Sequence, residues 1–158
     1  MPEDHKTIHV GIIMDGNRRW AKARNQGSDY GHLLGFKKIK PVIEWFHEFG
    51  VNILTFYAFS TENWARPQAE INYLMHLFRE ALANDAFELK QNGYRLLVSG
   101  RIAEGDLTGD LPEMCQKAMA ETRGNTAGIV NICFNYGGRA EIADAVKKII
   151  IKGLAPEQ

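Results

Sequence analysis

Apolar residues in this chain follow two rhythms that alternate along its length. Residues 9–14 (HVGIIM), 52–59 (NILTFYAF), 94–99 (YRLLVS) and 129–134 (IVNICF) are short, nearly continuous apolar runs, the pattern of strands buried in a parallel sheet. Between them the apolar positions recur every three or four residues, the spacing of one helix face. Leu33, Phe36, Ile39, Ile43 and Phe46 predict a helix over residues 29–49, which Pro41 should kink or split. Gly50 is placed to stop it. Ile71, Leu74, Met75, Phe78 and Leu82 predict a long helix running to Gln91, closed by Asn92-Gly93. Residues 111–122 predict a shorter helix and residues 141–151 a last one. Four β-α units in succession imply an α/β fold, a mostly parallel sheet with helices on both faces.

In such folds ligands bind beyond the carboxyl ends of the strands. Three polar clusters stand there, at residues 15–20, 60–66 and 135–139. In the first, Asp15 ends a strand, Gly16-Asn17 turns the chain, and Arg18 and Arg19 bring two guanidinium groups to a helix start. Backbone N–H groups with arginines make an anion site, and a carboxylate beside it can hold Mg²⁺ against a phosphate. A capped turn with two solvated arginines would leave the same residues. In the second cluster Ser60, Thr61, Asn63, Trp64 and Arg66 offer hydroxyls, an amide, an indole and a guanidinium. Phosphate recognition by Arg66 with Ser60 is one reading; a capping loop with Trp64 plugging the core is the other. His32 suits a packed or capping residue as well as a ligand. Asn135-Tyr136-Gly137-Gly138-Arg139 is a glycine turn and by itself a weak signal. Lys37, Lys38, Lys40 and Lys147-Lys148 read as solvated faces.

A length of 158 residues fits one domain spanning 1–158. With 45% hydrophobic and 24% charged residues, the chain is neither a disordered tail nor a charge-driven coiled coil. Nineteen basic residues balance nineteen acidic ones, so no global basic field points to a nucleic-acid partner. Cys115 and Cys133 lack metal-ligand spacing and read as reduced core thiols. No GxxxxGK[ST] stretch occurs, which argues against a P-loop phosphotransferase. No apolar run of signal-peptide length precedes Asp15, so a cytoplasmic protein is expected. No run long enough to cross a bilayer follows, although peripheral contact with a membrane stays possible.

Taken together, HVGIIMDGNRRWAK (9–22), GHLLG (31–35), LTFYAFSTENWARP (54–67) and NYGGRAEI (135–142) resemble the cis-prenyltransferase family of the undecaprenyl diphosphate synthase type, in order and spacing. The resemblance spans nearly the whole chain. It implies that Asp15 is the essential aspartate, binding Mg²⁺ and assisting departure of diphosphate from an allylic substrate. Gly16, Asn17, Arg18 and Arg19 would cradle that diphosphate, with Trp20 and His32 beside it. Ser60, Thr61, Glu62, Trp64 and Arg66 match the second substrate-binding loop. Asn63 falls where a proton acceptor is often assigned. A neutral amide is a very weak base, so Asn63 is expected to position water or diphosphate oxygens instead. The implied reaction adds isopentenyl diphosphate to farnesyl diphosphate in cis geometry, the growing chain lying in an apolar tunnel between sheet and helices. A homodimer is implied as well.

The chain departs from the family pattern in two places. Ser28 stands where the family has an arginine four residues before the histidine of GHxxG, removing one diphosphate-binding charge. The Arg-Thr-Ser-Gly-Glu and Arg-x-Ser-Asn stretch that holds isopentenyl diphosphate does not occur in residues 1–158. The expectation is therefore a C-terminally truncated member, inactive alone: a fragment, a truncated product or a chain completed by a partner. The alternative is a noncatalytic module that binds an isoprenoid diphosphate or a protein partner.

Overall fold

Four parallel strands form one sheet in the order β1-β2-β4-β3: β1 (His9–Ile13), β2 (Ile53–Ser60), β3 (Tyr94–Ser99) and β4 (Gly128–Tyr136). The computed structural model describes residues 7–102, 107 and 109–153; the acidic opening of the chain lies outside them. The helices are α1 (Asn17–Lys22), α2 (Ser28–Phe36), α3 (Ile39–Glu48), α4 (Gln68–Glu80), α5 (Ala86–Gln91), α6 (Leu111–Glu121) and α7 (Gly138–Lys152).

Register and the two-residue period of strands put Val10, Leu54, Val130 and Leu96 on one face, with Ile12, Phe56, Ile132 and Val98 a step along. That face carries the core. One cluster joins Leu54, Phe56 and Val130 to Ile43 of α3. The other joins Leu96, Val98 and Phe134 to Ile71, Met75 and Phe78 of α4, and to Leu111 and Cys115 of α6. The opposite face bears Gly11, Thr55, Asn131 and Ser99, and of the helices only α7, through Glu141, lines the shallow polar cavity over it. The expectation of helices on both faces is met unevenly. No residue of α7 is buried, and Ile142, Ile150 and Ile151 stay exposed.

Near the carboxyl end of β2 the pairing steps from Tyr57↔Cys133 to Phe59↔Phe134. Ala58 is thus an extra residue on β2, a bulge that returns Phe59 to the core face. Phe59 stacks on Phe134 at 5.2 Å, and Phe134 on Phe78 at 3.7 Å between ring centroids.

The helix expected over 29–49 is two helices, broken at Lys37-Lys38, and Pro41 lies in the first turn of α3. A proline ring clashes with the carbonyl four residues before it, so the helix must restart just ahead of Pro41, where its missing N–H costs nothing. The helix expected to run to Gln91 is likewise interrupted, by a π-helical turn over Ala81–Asp85. Residues 17–22 form a separate helix where only a helix start was expected. Both cysteines are free and buried, as expected, and burial pushes the Cys115 thiol up to about 11.

Candidate active site

The turn after β1 is organised by Asp15. Its Oδ1 accepts from the Gly16 N–H at 2.6 Å, and its Oδ2 from Arg19 at 2.8 Å. Gly16 has a φ of +97°, a conformation glycine adopts without strain. The helix that follows is pressed against α2. A Cβ on Gly31 would collide with the Asn17 carbonyl oxygen, and one on Gly35 would meet the Asn17 side chain at 2.5 Å. The two glycines of GHLLG therefore let α2 approach the arginine-bearing turn.

Under that turn lies a carboxylate that the sequence reading missed. Glu70, in the first turn of α4, is 6% exposed, and three motif residues converge on its Oε1. Arg66 approaches to 2.9 Å, His32 Nε2 to 3.1 Å and Arg18 to 3.8 Å. Desolvation by burial raises the Glu70 pKa, but the His32 hydrogen bond and the charges of Arg18 and Arg66 outweigh it and hold the group below 4.5. The one available signal was the Arg66/Glu70 spacing of four residues, which also describes countless surface pairs.

The cluster opens onto a cavity of about 860 Å³. Asp15, Gly16, Asn17, Arg18, Arg19, Ser28, His32 and Arg66 line its polar end. Ile43, Phe59, Leu77, Phe78, Leu82, Leu96, Val130 and Phe134 give it an apolar stretch, and Lys37, Lys40, Glu44, Glu88 and Asn92 line it as well. The cavity lies between sheet and helices, where an apolar tunnel was expected, and the small side chains of Ala81 and Ala86 form part of its wall.

Several site expectations fall outside that cavity. Trp20 does not line it; its ring lies 6.3 Å from Tyr30 with the Arg24 guanidinium 4.1 Å above it. Of the second loop only Arg66 reaches the cavity. Ser60 accepts from the Glu62 N–H, and Asn63 Oδ1 accepts from the Ser60 N–H, so the two cap the 3-10 turn Thr61–Ala65. One lone pair of the Asn63 oxygen is thus engaged, and its amide N–H groups suit a donor to oxygen. Trp64 donates to Asn135 Oδ1 at 2.9 Å and packs edge-on against Phe59, the core plug of the second reading. Thr61 lies against Gly137, and Asn135, 2% exposed, also donates to the Arg101 carbonyl. The second and third clusters are thus brought together by packing. Glu62 is exposed. Ser28 begins α2, 3.4 Å from Asp29, and faces the cavity.

Fold and site together define a parallel α/β domain of cis-prenyltransferase type, with three arginines lining a cavity between sheet and helices. The chain belongs to the undecaprenyl diphosphate synthase family: the family model described as "Putative undecaprenyl diphosphate synthase" matches residues 13–158. It is 46% identical over 145 residues to an isoprenyl transferase of Fusobacterium nucleatum, covering 92% of this chain and 62% of that protein. It is 45% identical over 145 residues to a tritrans,polycis-undecaprenyl-diphosphate synthase (geranylgeranyl-diphosphate specific) of Pyrococcus abyssi, covering 90% and 54%. Among solved structures, lavandulyl diphosphate synthase from Lavandula x intermedia, in complex with dimethylallyl diphosphate, superimposes with a TM-score of 0.89 at 29% identity, covering 98% of this chain and 66% of that one. A probable undecaprenyl diphosphate synthase from Campylobacter jejuni gives 0.76 at 29% identity, covering 95% and 64%. The chain spans roughly 54–62% of the length of these curated relatives.

Glu70→Gln should cost about 3 kcal/mol of stability at neutral pH, because Arg18 and Arg66 lose their buried counter-charge and the His32 hydrogen bond is weakened. Since the folded-state pKa is depressed, the wild-type advantage is present above 4.5 and disappears as pH falls below it. Urea unfolding of both proteins from pH 7 down to pH 3 checks this. A gap that stays constant with pH would contradict it.

Proposed function

We propose that this chain supplies the allylic half of a cis-prenyltransferase that makes polyprenyl diphosphate. The observation that carries the reading is that Asp15, Arg18, Arg19 and Arg66 line the same cavity as a long apolar stretch of sheet and helix residues. An allylic diphosphate such as farnesyl diphosphate is an anion on an apolar tail, and this cavity offers a lining for each. Arg19 holds Asp15 with one nitrogen, and a guanidinium has five N–H donors, so the rest are available to phosphate oxygens.

Among the described residues no group of three or more His, Cys, Asp or Glu side chains could cage a metal. That suits Mg²⁺, which keeps its waters and is bound by one or two carboxylates plus substrate phosphates. Asp15, exposed at the rim, is the carboxylate placed to share it. Mg²⁺ so bound would neutralise the departing diphosphate. Arg18 and Arg19 would add charge-assisted hydrogen bonds as negative charge collects on the leaving oxygens. Asn63, its amide N–H groups available, would orient a diphosphate oxygen or water rather than take a proton itself.

Condensation needs two diphosphates held in attack geometry. The family's second-site stretch does not occur in residues 1–158, so isopentenyl diphosphate is proposed as the co-substrate of the complete enzyme and the isolated chain as an allylic-diphosphate binder. A homodimer and a cytoplasmic location belong to the same reading. Among the described residues no helix is long and apolar enough to cross a membrane.

Calorimetry with a non-hydrolysable farnesyl diphosphate analogue should show Mg²⁺-dependent binding that is lost in Asp15→Asn; unchanged binding in the variant would end the assignment of Asp15. Because Ser28 lines the cavity, Ser28→Arg should restore a charged hydrogen bond and tighten the same analogue by roughly 10- to 100-fold. An unaltered Kd at low salt would show that residue 28 does not address the anion. The purified 158-residue chain should incorporate no radiolabelled isopentenyl unit. Robust incorporation would mean that residues 1–158 contain a second diphosphate site. Arg139 would then be the first residue to test, because Arg101 is already held in a bidentate pair with Asp144 at 2.8 and 3.0 Å.

A further inference from the structure

The chain has as many acidic as basic residues, yet its charge is unevenly placed. Residues 18–40 carry seven Lys and Arg against a single carboxylate, Asp29. Lys22, Arg24, Lys37 and Lys38 are exposed, and none has a carboxylate partner among the described residues. Lys22 and Lys37 also line the large cavity, so part of this charge stands at its opening.

Two aromatic rings are set among these cations without being buried. Trp20 is 39% and Tyr30 46% exposed, their centroids 6.3 Å apart, and Arg24 lies over the indole. Trp20 was expected at the diphosphate and does not line the cavity. Amphipathic rings beside exposed cations are what a bilayer interface selects, the rings at headgroup depth and the cations against anionic headgroups. A nucleic acid would use the same cations but is not favoured by a patch confined to two short helices beside an apolar opening.

The geometry points to a docking surface for an anionic lipid bilayer, formed by α1 and α2 around the mouth of the cavity. It would hold the opening against the membrane, the phase into which a long isoprenoid tail partitions. That use rests on the allylic-diphosphate reading, whereas the docking itself does not. Anionic headgroups attract each nearby cation by about fivefold in partition, and the attraction fades within a Debye length as salt is added.

α7 is the internal rival, since it too presents exposed isoleucines with Lys147, Lys148 and Lys152. It is far from the cavity lining, and Lys147 lies 3.8 Å from Asp144. A charge-matched comparison separates the two surfaces.

The test is flotation of the purified chain, with no isoprenoid or Mg²⁺ present, on vesicles of pure phosphatidylglycerol or pure phosphatidylcholine. Binding is expected to phosphatidylglycerol only and to weaken with salt. Lys37→Gln with Lys38→Gln should lower it about 25-fold, Tyr30→Ala should lower it further, and Lys148→Gln with Lys152→Gln should leave it unchanged. No binding to phosphatidylglycerol, equal binding to both lipids, or a loss as large in the α7 pair as in the Lys37/Lys38 pair would overturn the proposal. Because no diphosphate is present, failure here leaves the calorimetric test of the allylic site standing, and failure there leaves this one.

Discussion

A carboxylate shielded from water is tolerable only when positive groups surround it, and in this protein one such carboxylate sets the position of almost everything that could touch a ligand. Glu70 is reached by Arg18 from α1, His32 from α2 and Arg66 from the loop after β2. Each partner comes from a different segment, so the buried charge acts as a geometric constraint on two helices and a loop at once. Removing it would leave cations facing one another at the edge of an apolar cavity, the arrangement that costs most in a low dielectric. The arginines are thereby held before any anion arrives, which lowers the ordering cost of binding.

Around that constraint the fold divides its two tasks between the ends of one cavity. The polar end is built from turns, where backbone N–H groups and guanidinium groups can point at an anion. The apolar end is built from strand residues of one face and from helices that stand off enough to leave space. The bulge at Ala58 and the π-helical turn at Ala81–Asp85 both border this space. An inserted residue in either place re-aims side chains locally without dismantling the element around it. Phe59 shows the effect, stacked on Phe134 and edge-on to Trp64 because the bulge returns it to the core face.

The polar loops after β2 and β4 illustrate how side chains with chemical potential can be occupied by architecture. Trp64, Asn135, Ser60 and Asn63 satisfy one another or nearby backbone groups. In this state they stabilise the loop that delivers Arg66. Their influence on a ligand would run through that placement, with the Asn63 amide N–H groups as the direct exception.

Much of this was legible in the chain itself. Parallel strands buried on a core face must be short and apolar, so all four could be read from their apolar runs, whereas the Asp-Gly-Asn-Arg-Arg turn was compatible with an anion site and equally with a capped turn. The break at Lys37-Lys38 was half legible, since Pro41 forbids a continuous helix but does not say on which side the chain parts. Glu70 was not legible, because a glutamate in a first helical turn ordinarily faces water and favours the helix dipole; its burial arises only once Arg18, His32 and Arg66 are packed around it. Nor could Trp20 be placed outside the cavity, because a six-residue helix has no periodicity long enough to say which way each side chain turns. Sequence patterns report what each segment prefers to bury, whereas the cavity, the shielded carboxylate and the direction of an indole are properties of distances between segments, and those exist only once the segments have packed.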